Sequence, residues 1–459
     1  MGGLLAALNA SKTSITTQQK AMEVVGNNIA NVNTPGYSRQ TPTLTPFPTL
    51  SMGDFFIGQG VRVSSIERAS DAFLTKQIQT KTADLGMESS KASPLASVER
   101  TLPVDDTGVA AEIDRFFDAW QELSTNPDGR VERDLVMQHG GLVADAFLNT
   151  YNDLQSVSTN IDNALVSKID GVNLKLSQVA ELNNRIATVE LSGNNANSDR
   201  DRRDLLVKEL ANSLGVQALE DSRHMVMLQL PGGLPLVEGT EALQIEGVPT
   251  GSTLKLQLKL GSTIIDLPRE GMGGEFRGLL DIRDQLVPDL QGRLDQLAYD
   301  FATAINTQHR TGSGLDGISG RDFFNQPAAV AGAATSLSMA FSNNDFVAAG
   351  ATMAPGDNTN ALQIAGLKAT PMVNGQDSYT AWYGKMAATV GMEASQNELS
   401  LSGLEDTLTQ LNNVRDSTVG VSLEEEMISL IQYQKGFEAS AKFLGTVDEM
   451  MDSILMIKR

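Results

Sequence analysis

Cysteine is missing from all 459 residues, which excludes disulfides, thiolate metal sites and a cysteine nucleophile. Histidine is nearly so: His139, His224 and His309 stand far apart, and no His-rich metal site is expected. Positive charge is scarce. Thirty-five Lys and Arg against 56 Asp and Glu leave a net charge of −21, too acidic for nucleic acid or an anionic membrane as the main partner. No apolar run approaches the roughly 18–20 residues that cross a bilayer. Met1 to Ala10 lacks a basic stretch and reads as no cleavable signal peptide. A myristoylation pattern begins with Met1-Gly2 but meets Ala6 where Ser or Thr is required. These features describe a soluble, acidic chain outside conventional secretion, long enough for two to four domains.

Motifs of chemistry are also missing. There is no phosphate-binding loop, zinc-protease helix, serine-hydrolase elbow or EF-hand loop. Gly58-Gln59-Gly60 reads as a turn rather than half a dinucleotide fingerprint. Asp357-Asn358-Thr359-Asn360 reads as a cap for a helix near Ala361. The run Asp199-Arg200-Asp201-Arg202-Arg203-Asp204 mixes signs too closely for a phosphate patch and reads as a helix start with local ion pairs. His309, at a helix end before Gly312, reads as a surface or C-terminal residue. No catalytic, metal or cofactor site is expected.

What the chain does have is periodicity. Leu4, Leu8, Ser11, Ile15, Gln18, Met22, Val25, Ile29 and Val32 alternate four and three apart, the mark of a narrow coiled-coil seam. Asn33-Thr34-Pro35-Gly36 ends this helix, Pro35 by restricting Thr34 and Gly36 by supplying a positive φ. The other end mirrors it. Leu423, Met427, Leu430, Gln434, Phe437, Ala441, Leu444, Met451 and Leu455 follow the same spacing, broken at Asp448 and flanked there by Val447 and Ile454. Ser422 and Glu425 form a capping box; Glu424 to Glu426 and Lys458-Arg459 sit at the dipole ends that favour them. Each seam spans roughly 40–50 Å at 1.5 Å per residue, so the two ends can pair along their length. Gln18 and Gln434 on the stripes are residues of the kind that set register.

Between the ends, Ile113, Phe116, Phe117, Trp120 and Leu123 mark a short helix. A helical stripe then runs from Val131 to about Leu191, far beyond ordinary globular length. Leu205, Leu206, Leu210 and Leu214 mark another helix, stopped by Gly215. A helix from Phe276 to about His309 is expected to kink at Pro288, and one from Tyr379 runs to about Asp416. Residues 216–268 switch to period two: Leu254, Leu256, Leu258 and Leu260 alternate with polar residues, and Val226, Leu228 and Leu230 precede the Gly232-Gly233 turn. Residues 311–377 read as loops with short elements. The expected fold is mainly α with a β insertion. Residues 1–60 plus 417–459 form a terminal coiled-coil domain, 61–215 plus 269–416 an elongated helical bundle, and 216–268 a small β domain.

The stretch Gly26 to Gln40, GNNIANVNTPGYSRQ, closely resembles the N-terminal motif of bacterial flagellar rod, hook and hook-associated proteins, carried here by Asn28, Asn31, Asn33, Pro35, Gly36, Tyr37 and Arg39. Gly420 to Arg459 resembles the matching C-terminal end. Within that axial family, Asp201 to Leu206, Gly274 to Asp284, Leu297 to Gly314 and Gly356 to Leu362 resemble the hook-associated protein 1 group, and the resemblance covers nearly the whole chain.

The resemblance implies an elongated multidomain axial protein with no enzymatic activity and no cofactor, a structural subunit between hook and filament. Its terminal seams would assemble on burial, with Leu4, Leu8, Ile15, Met22, Val25, Ile29, Val32, Leu423, Met427, Leu430, Phe437, Leu444, Met451 and Leu455 as the interface. The implied partners are further copies of itself, the hook protein, the second junction protein leading to the filament, and a cytoplasmic export chaperone on the C-terminal helix, with no nucleic acid and no membrane. The implied location is the flagellum outside the cell, reached through the flagellar type III apparatus. A hook or rod subunit is the alternative, and a cell-wall hydrolase on an axial framework a distant third.

Overall fold

A computed structural model describes residues 2–52, 55–251, 253–261 and 263–457; Met1, Lys458 and Arg459 lie outside the described residues. The chain opens with α1 (Gly2–Ala30). Four strands follow: β1 (Gln40–Pro46), β2 (Leu50–Met52), β3 (Phe55–Ile57) and β4 (Val61–Arg68). β1 pairs antiparallel with β4, and β2 with β3. Residues 40–68 were expected to be divided between a helical end and the bundle, so this arm is a correction. Its strands are only partly buried and carry Pro42 and Pro46, which hides the period-two signal.

The body is built from α2 (Ala72–Thr101), α3 (Val109–Thr125), α4 (Arg130–Leu191) and α5 (Asn197–Leu214). α4 has 62 residues, which at 1.5 Å per residue makes it roughly 90 Å long. α2 runs through Pro94 and packs against neighbours so closely that two glycines are required at the crossings. A Cβ on Gly86 would sit 2.1 Å from the Asn212 carbonyl of α5, and one on Gly278 the same distance from the Met87 carbonyl. α5 ends where Gly215 adopts φ +68°, as its sequence predicts.

Seven strands follow: β5 (Gln217–Glu220), β6 (Val226–Gln229), β7 (Pro235–Glu238), β8 (Glu241–Ala242), β9 (Gln244–Thr250), β10 (Thr253–Leu260) and β11 (Thr263–Asp266). They form two antiparallel meanders, β5-β6-β7-β8 and β9-β10-β11. Leu254, Leu256 and Leu258 are buried, the expected alternation, while Leu260 is half exposed. Asn183 of α4 pins the first meander: its Nδ2 donates to the Val226 and Gly239 carbonyls, both at 2.8 Å, and its Oδ1 accepts the Val226 N–H at 3.0 Å.

The chain re-enters the body through α6 (Gly274–Asp281), a π-helical turn over Ile282–Leu286, and α7 (Val287–His309). The break falls one turn before Pro288, which has no N–H to give to the ladder. α8 (Ala333–Ser336) and α9 (Thr359–Gly366) interrupt the following loops, and α10 (Tyr379–Thr418) and α11 (Leu423–Ile457) complete the chain. Residues 311–377 are not peripheral. Phe323 and Phe324 are fully buried against Phe116 and Phe301, in an aromatic centre that also includes Phe117 and Tyr379.

His309 lies inside this centre, not at the surface. It is wholly buried, with Nδ1 2.8 Å from the Arg321 carbonyl and Nε2 2.9 Å from the Ala348 N–H. These contacts require a neutral ring. The Asp357 carboxylate accepts the N–H and hydroxyl groups of Thr352 and Thr359 at the start of α9, within the run expected to cap it; Asn358 at the cap position makes no side-chain cap bond.

Candidate assembly interface

α1 and α11 lie side by side, antiparallel. Three contacts fix the register. Ser14 and Ser440 share a hydrogen bond of 2.7 Å, Gln18 packs on Gly436, and Asn28 Nδ2 donates to Glu426 at 2.9 Å. The residue numbers of each pair add to the same value, so the helices run without slippage over the whole span.

The inward stripe of α11 differs from the predicted one. Glu426 and Val447 are buried, and Leu430, Tyr433, Phe437, Ser440, Leu444 and Met451 are half-buried. These positions alternate four and three apart with no break at Asp448. Four of the nine predicted stripe residues, Leu430, Phe437, Leu444 and Met451, face α1. At Met427, Gln434 and Ala441 the inward position is instead one residue earlier, because Glu426, Tyr433 and Ser440 carry polar groups that an apolar count passes over. Leu423, Met427 and Leu455 instead point outward, 49%, 49% and 60% exposed, as do Ile428, Ile431 and Gln434. Gln434 therefore sets no register within this pair.

On α1 the covered residues are mostly small or polar: Ser11, Thr17, Ala21, Val24, Val25 and Asn28. Leu4, Leu8, Ile15, Met22, Ile29 and Val32 flank them half-buried, and Gln18 lies on the pair. The other side of α1 meets the β arm, where Thr17 donates to the Val61 carbonyl at 2.8 Å.

The motif after α1 forms the junction between this pair and the body. Asn28 is its centre. Its Oδ1 accepts from the Gln40 N–H at 3.0 Å and the Tyr37 hydroxyl at 2.8 Å, while Nδ2 donates to the Gln40 carbonyl at 2.8 Å as well as to Glu426. Burial, then the charges of Asp201 and Glu426, push the Tyr37 phenol up to about 12, so it remains a donor. Asn31 holds the turn through Asn27 and Thr34; Gly36 takes φ +81° over Leu205; Asn33 and Pro35 are exposed. Arg39 Nε meets Glu426 at 2.7 Å and its Nη1 meets Glu425 at 2.8 Å. Glu425 is thereby drawn from the reciprocal half of its capping box, although its N–H still lies 3.5 Å from Ser422 Oγ. The backbone of Arg39 bonds on both sides, its N–H to Val419 at 2.9 Å and its carbonyl to Ala69 at 2.8 Å.

The body meets this junction through the mixed-charge run on α5. Asp201 is buried; it accepts the Ser38 N–H at 3.1 Å and the Arg68 guanidinium at 2.9 Å, and Arg68 also reaches Asp204 at 2.7 Å. Burial, the largest influence, pushes the Asp201 carboxyl above its ordinary range against the pull of Arg68 and Ser38. Arg203, 1% exposed, donates to the His224 carbonyl. These contacts are long-range, which corrects the local ion pairs read from the sequence. The sequence does not single out Arg68, and it reads Asp201 and Glu426 only as acids of their own helix starts, not as partners across the chain. The one available signal was an acid in the inward phase of an otherwise apolar helix.

A model of the family described as "Flagellar hook-associated protein FlgK helical domain" matches residues 95–324, half of the chain. The chain belongs to the FlgK family. Its ends match two further models: "Flagella basal body rod protein" over residues 8–37 and "Flagellar basal body rod FlgEFG protein C-terminal" over 416–457. Flagellar hook-associated protein 1 of Bacillus subtilis is 29% identical across 98% of this chain and 97% of its own. The Escherichia coli protein of the same name is 23% identical across 98% and 99%. These alignments run over 494 and 543 positions, so the FlgK relatives carry segments absent from the 459 residues here. The solved structure of the flagellar hook junction protein FlgK from Burkholderia pseudomallei shares the fold, with a TM-score of 0.68 at 17% identity over 76% of this chain and all of that one.

Proposed function

We propose that this FlgK-family chain is a structural subunit of the bacterial flagellum at the junction between hook and filament, and that it acts by making interfaces rather than by catalysis. The observation that carries this reading is the terminal pair. Its two helices are already joined through Asn28, Glu426 and Arg39, yet the outer side of α11 presents Leu423, Met427, Ile428 and Ile431 to solvent. Covering that face with neighbouring subunits supplies about 25 cal/mol per Å² of apolar area, less the cost of ordering the side chains. The interface extends along the half-buried Leu4, Leu8, Ile15, Met22, Ile29 and Val32 of α1.

The partners in this reading are further copies of the chain, the hook protein below and the second junction protein above. A cytoplasmic chaperone covers the apolar face of α11 before export through the flagellar type III apparatus, and the mature subunit resides outside the cell. A hook or rod subunit is the second reading, favoured by the rod-type models at both ends; the interior model weighs against it.

Deletion of the gene followed by electron microscopy of stained cells tests the proposal. Hooks that end without filaments, with flagellin shed into the medium, are the expected outcome. Missing hooks would place the subunit in the rod or hook, and normal filaments would overturn the reading.

A further inference from the structure

The sequence contains a single Asn-Gly pair, Asn374-Gly375. It forms the tip of a short hairpin between α9 and α10, where Val373 bridges Asp377 and the Gln376 N–H donates to the Val373 carbonyl at 3.0 Å. Asn374 has φ +50° and Gly375 φ +67°, the paired positive values of a type I′ turn. Among the described residues, Asn374 and His224 are the two non-glycine positions with positive φ. Both turn residues are exposed, and the Asn374 carboxamide makes no hydrogen bond among the described residues. The peptide unit joining them is equally unheld. Neither the Asn374 carbonyl nor the Gly375 N–H has a hydrogen-bond partner among the described residues, and the space beside Gly375 is open.

An asparagine carboxamide can close on the amide nitrogen of the next residue. The five-membered ring brings Cβ and that nitrogen into eclipse, which for an L residue sets ψ near −120°. A positive φ with ψ of about −120° is the first central position of a type II′ turn, the other common hairpin turn. Asn374 already holds the φ. Flipping the one unheld peptide unit supplies the ψ. It carries Gly375 to a negative φ, which glycine accepts as readily, and leaves the Gln376–Val373 bond in place.

We propose that Asn374 is a site of spontaneous covalent modification, through a succinimide that water opens to aspartate or isoaspartate. The Gly375 nitrogen attacks Cγ of Asn374 and forms the new C–N bond. The Cγ–Nδ2 bond breaks, and Nδ2 departs as ammonia with the proton that the Gly375 amide gives up. Water then adds to one of the two imide carbonyls: opening at Cγ yields aspartate, and opening at the main-chain carbonyl yields isoaspartate. Either product sets a new carboxylate beside Asp300, whose own carboxylate accepts the Asn374 N–H at 3.0 Å. Isoaspartate also lengthens the main chain by one carbon and breaks the Val373–Asp377 register. The next residue, Ser378, caps α10 by accepting the Ala381 N–H at 3.3 Å, and Tyr379 enters the aromatic centre. The modification therefore loosens the start of α10. This inference does not depend on the place of the chain in the flagellum.

The test ages the full chain in warm, mildly alkaline buffer and follows it by tryptic mass spectrometry. The peptide 369–385 carries Asn374 as its only asparagine. Amide loss at Asn374 in the folded chain is expected within about tenfold of the rate in the synthetic peptide 369–385, with Asn9 far behind because α1 must open before it can react. Loss at Asn374 as slow as at Asn9 would mean that the hairpin protects it and would overturn the proposal. Labelling by an isoaspartyl methyltransferase reads the route: isoaspartate is expected, and aspartate alone would mean direct hydrolysis of the side chain, with no succinimide. Hydrogen exchange over residues 379–383 should quicken in the aged unaltered chain and not in aged Asn374→Gln. Equal exchange in the two would reject the loosening of α10.

Discussion

The Arg39 guanidinium meets Glu426 at 2.7 Å, joining the turn after the first helix to the first turn of the last, with the Glu426 side chain 1% exposed. The two residues are 387 positions apart in the chain. This contact makes the ends a single unit.

Arg39→Ala leaves the Glu426 carboxylate buried with Asn28 as its remaining partner. Removing one member of a buried pair costs about 3–5 kcal/mol; with Arg39 30% exposed and Asn28 retained, a loss of about 1–3 kcal/mol is expected. Hydrogen exchange should show the change locally, as faster exchange over residues 423–440 with the body unaffected. Arg39→Lys should restore part of the protection.

The two faces of α11 should separate experimentally. Ile428→Asp with Ile431→Asp alters only exposed positions, so the paired helices should persist by circular dichroism while incorporation and motility are lost. Val447→Asp places a charge at a position 3% exposed and should unpair the helices in the isolated protein. Equal behaviour of the two variants in both assays would reject the division of faces.

Asn183→Ala removes four hydrogen bonds, including one from Arg203 at 3.2 Å, and leaves the Val226 amide and two hairpin carbonyls unserved. A cost of about 2–3 kcal/mol is expected. Urea denaturation would measure it, with exchange rising first in β6 and β7.

Much of this architecture is legible in the sequence. The 62-residue α4, the Gly215 stop, the bounds of α10 and the alternation in β10 follow from periodicity and turn chemistry. The exceptions share a physical cause. α2 packs against α5, α6 and α10, and its buried positions include Thr82 and Gly86, so no single apolar stripe marks it. Glu426 is buried because Arg39 and Asn28 answer its charge, a condition no local window contains. His309 occupies a helix end, where exposure is the ordinary outcome, and loops from residues 311–350 cover it.

That burial carries a pH prediction. Burial, the largest influence, lowers the His309 pKa to about 4 from an ordinary 6.5. The unfolded chain therefore takes up a proton first. Stabilisation by the neutral ring is complete above pH 6.5 and is lost as pH falls toward 4, by about 3 kcal/mol in all. His309→Gln should flatten this part of the stability–pH curve.

Only two covalent crossings link the terminal pair and its β arm to the body, near Ala69 and near Val419, and the Arg39 backbone bonds to both. Mechanically this is an isthmus. Twist or bending applied to the helical pair reaches the long body through two short chain segments and a small group of contacts beside them: the Asp201–Arg68 clasp, Asn195 and Asn197 on the Ile66 carbonyl, and Arg415 on the Tyr37 carbonyl.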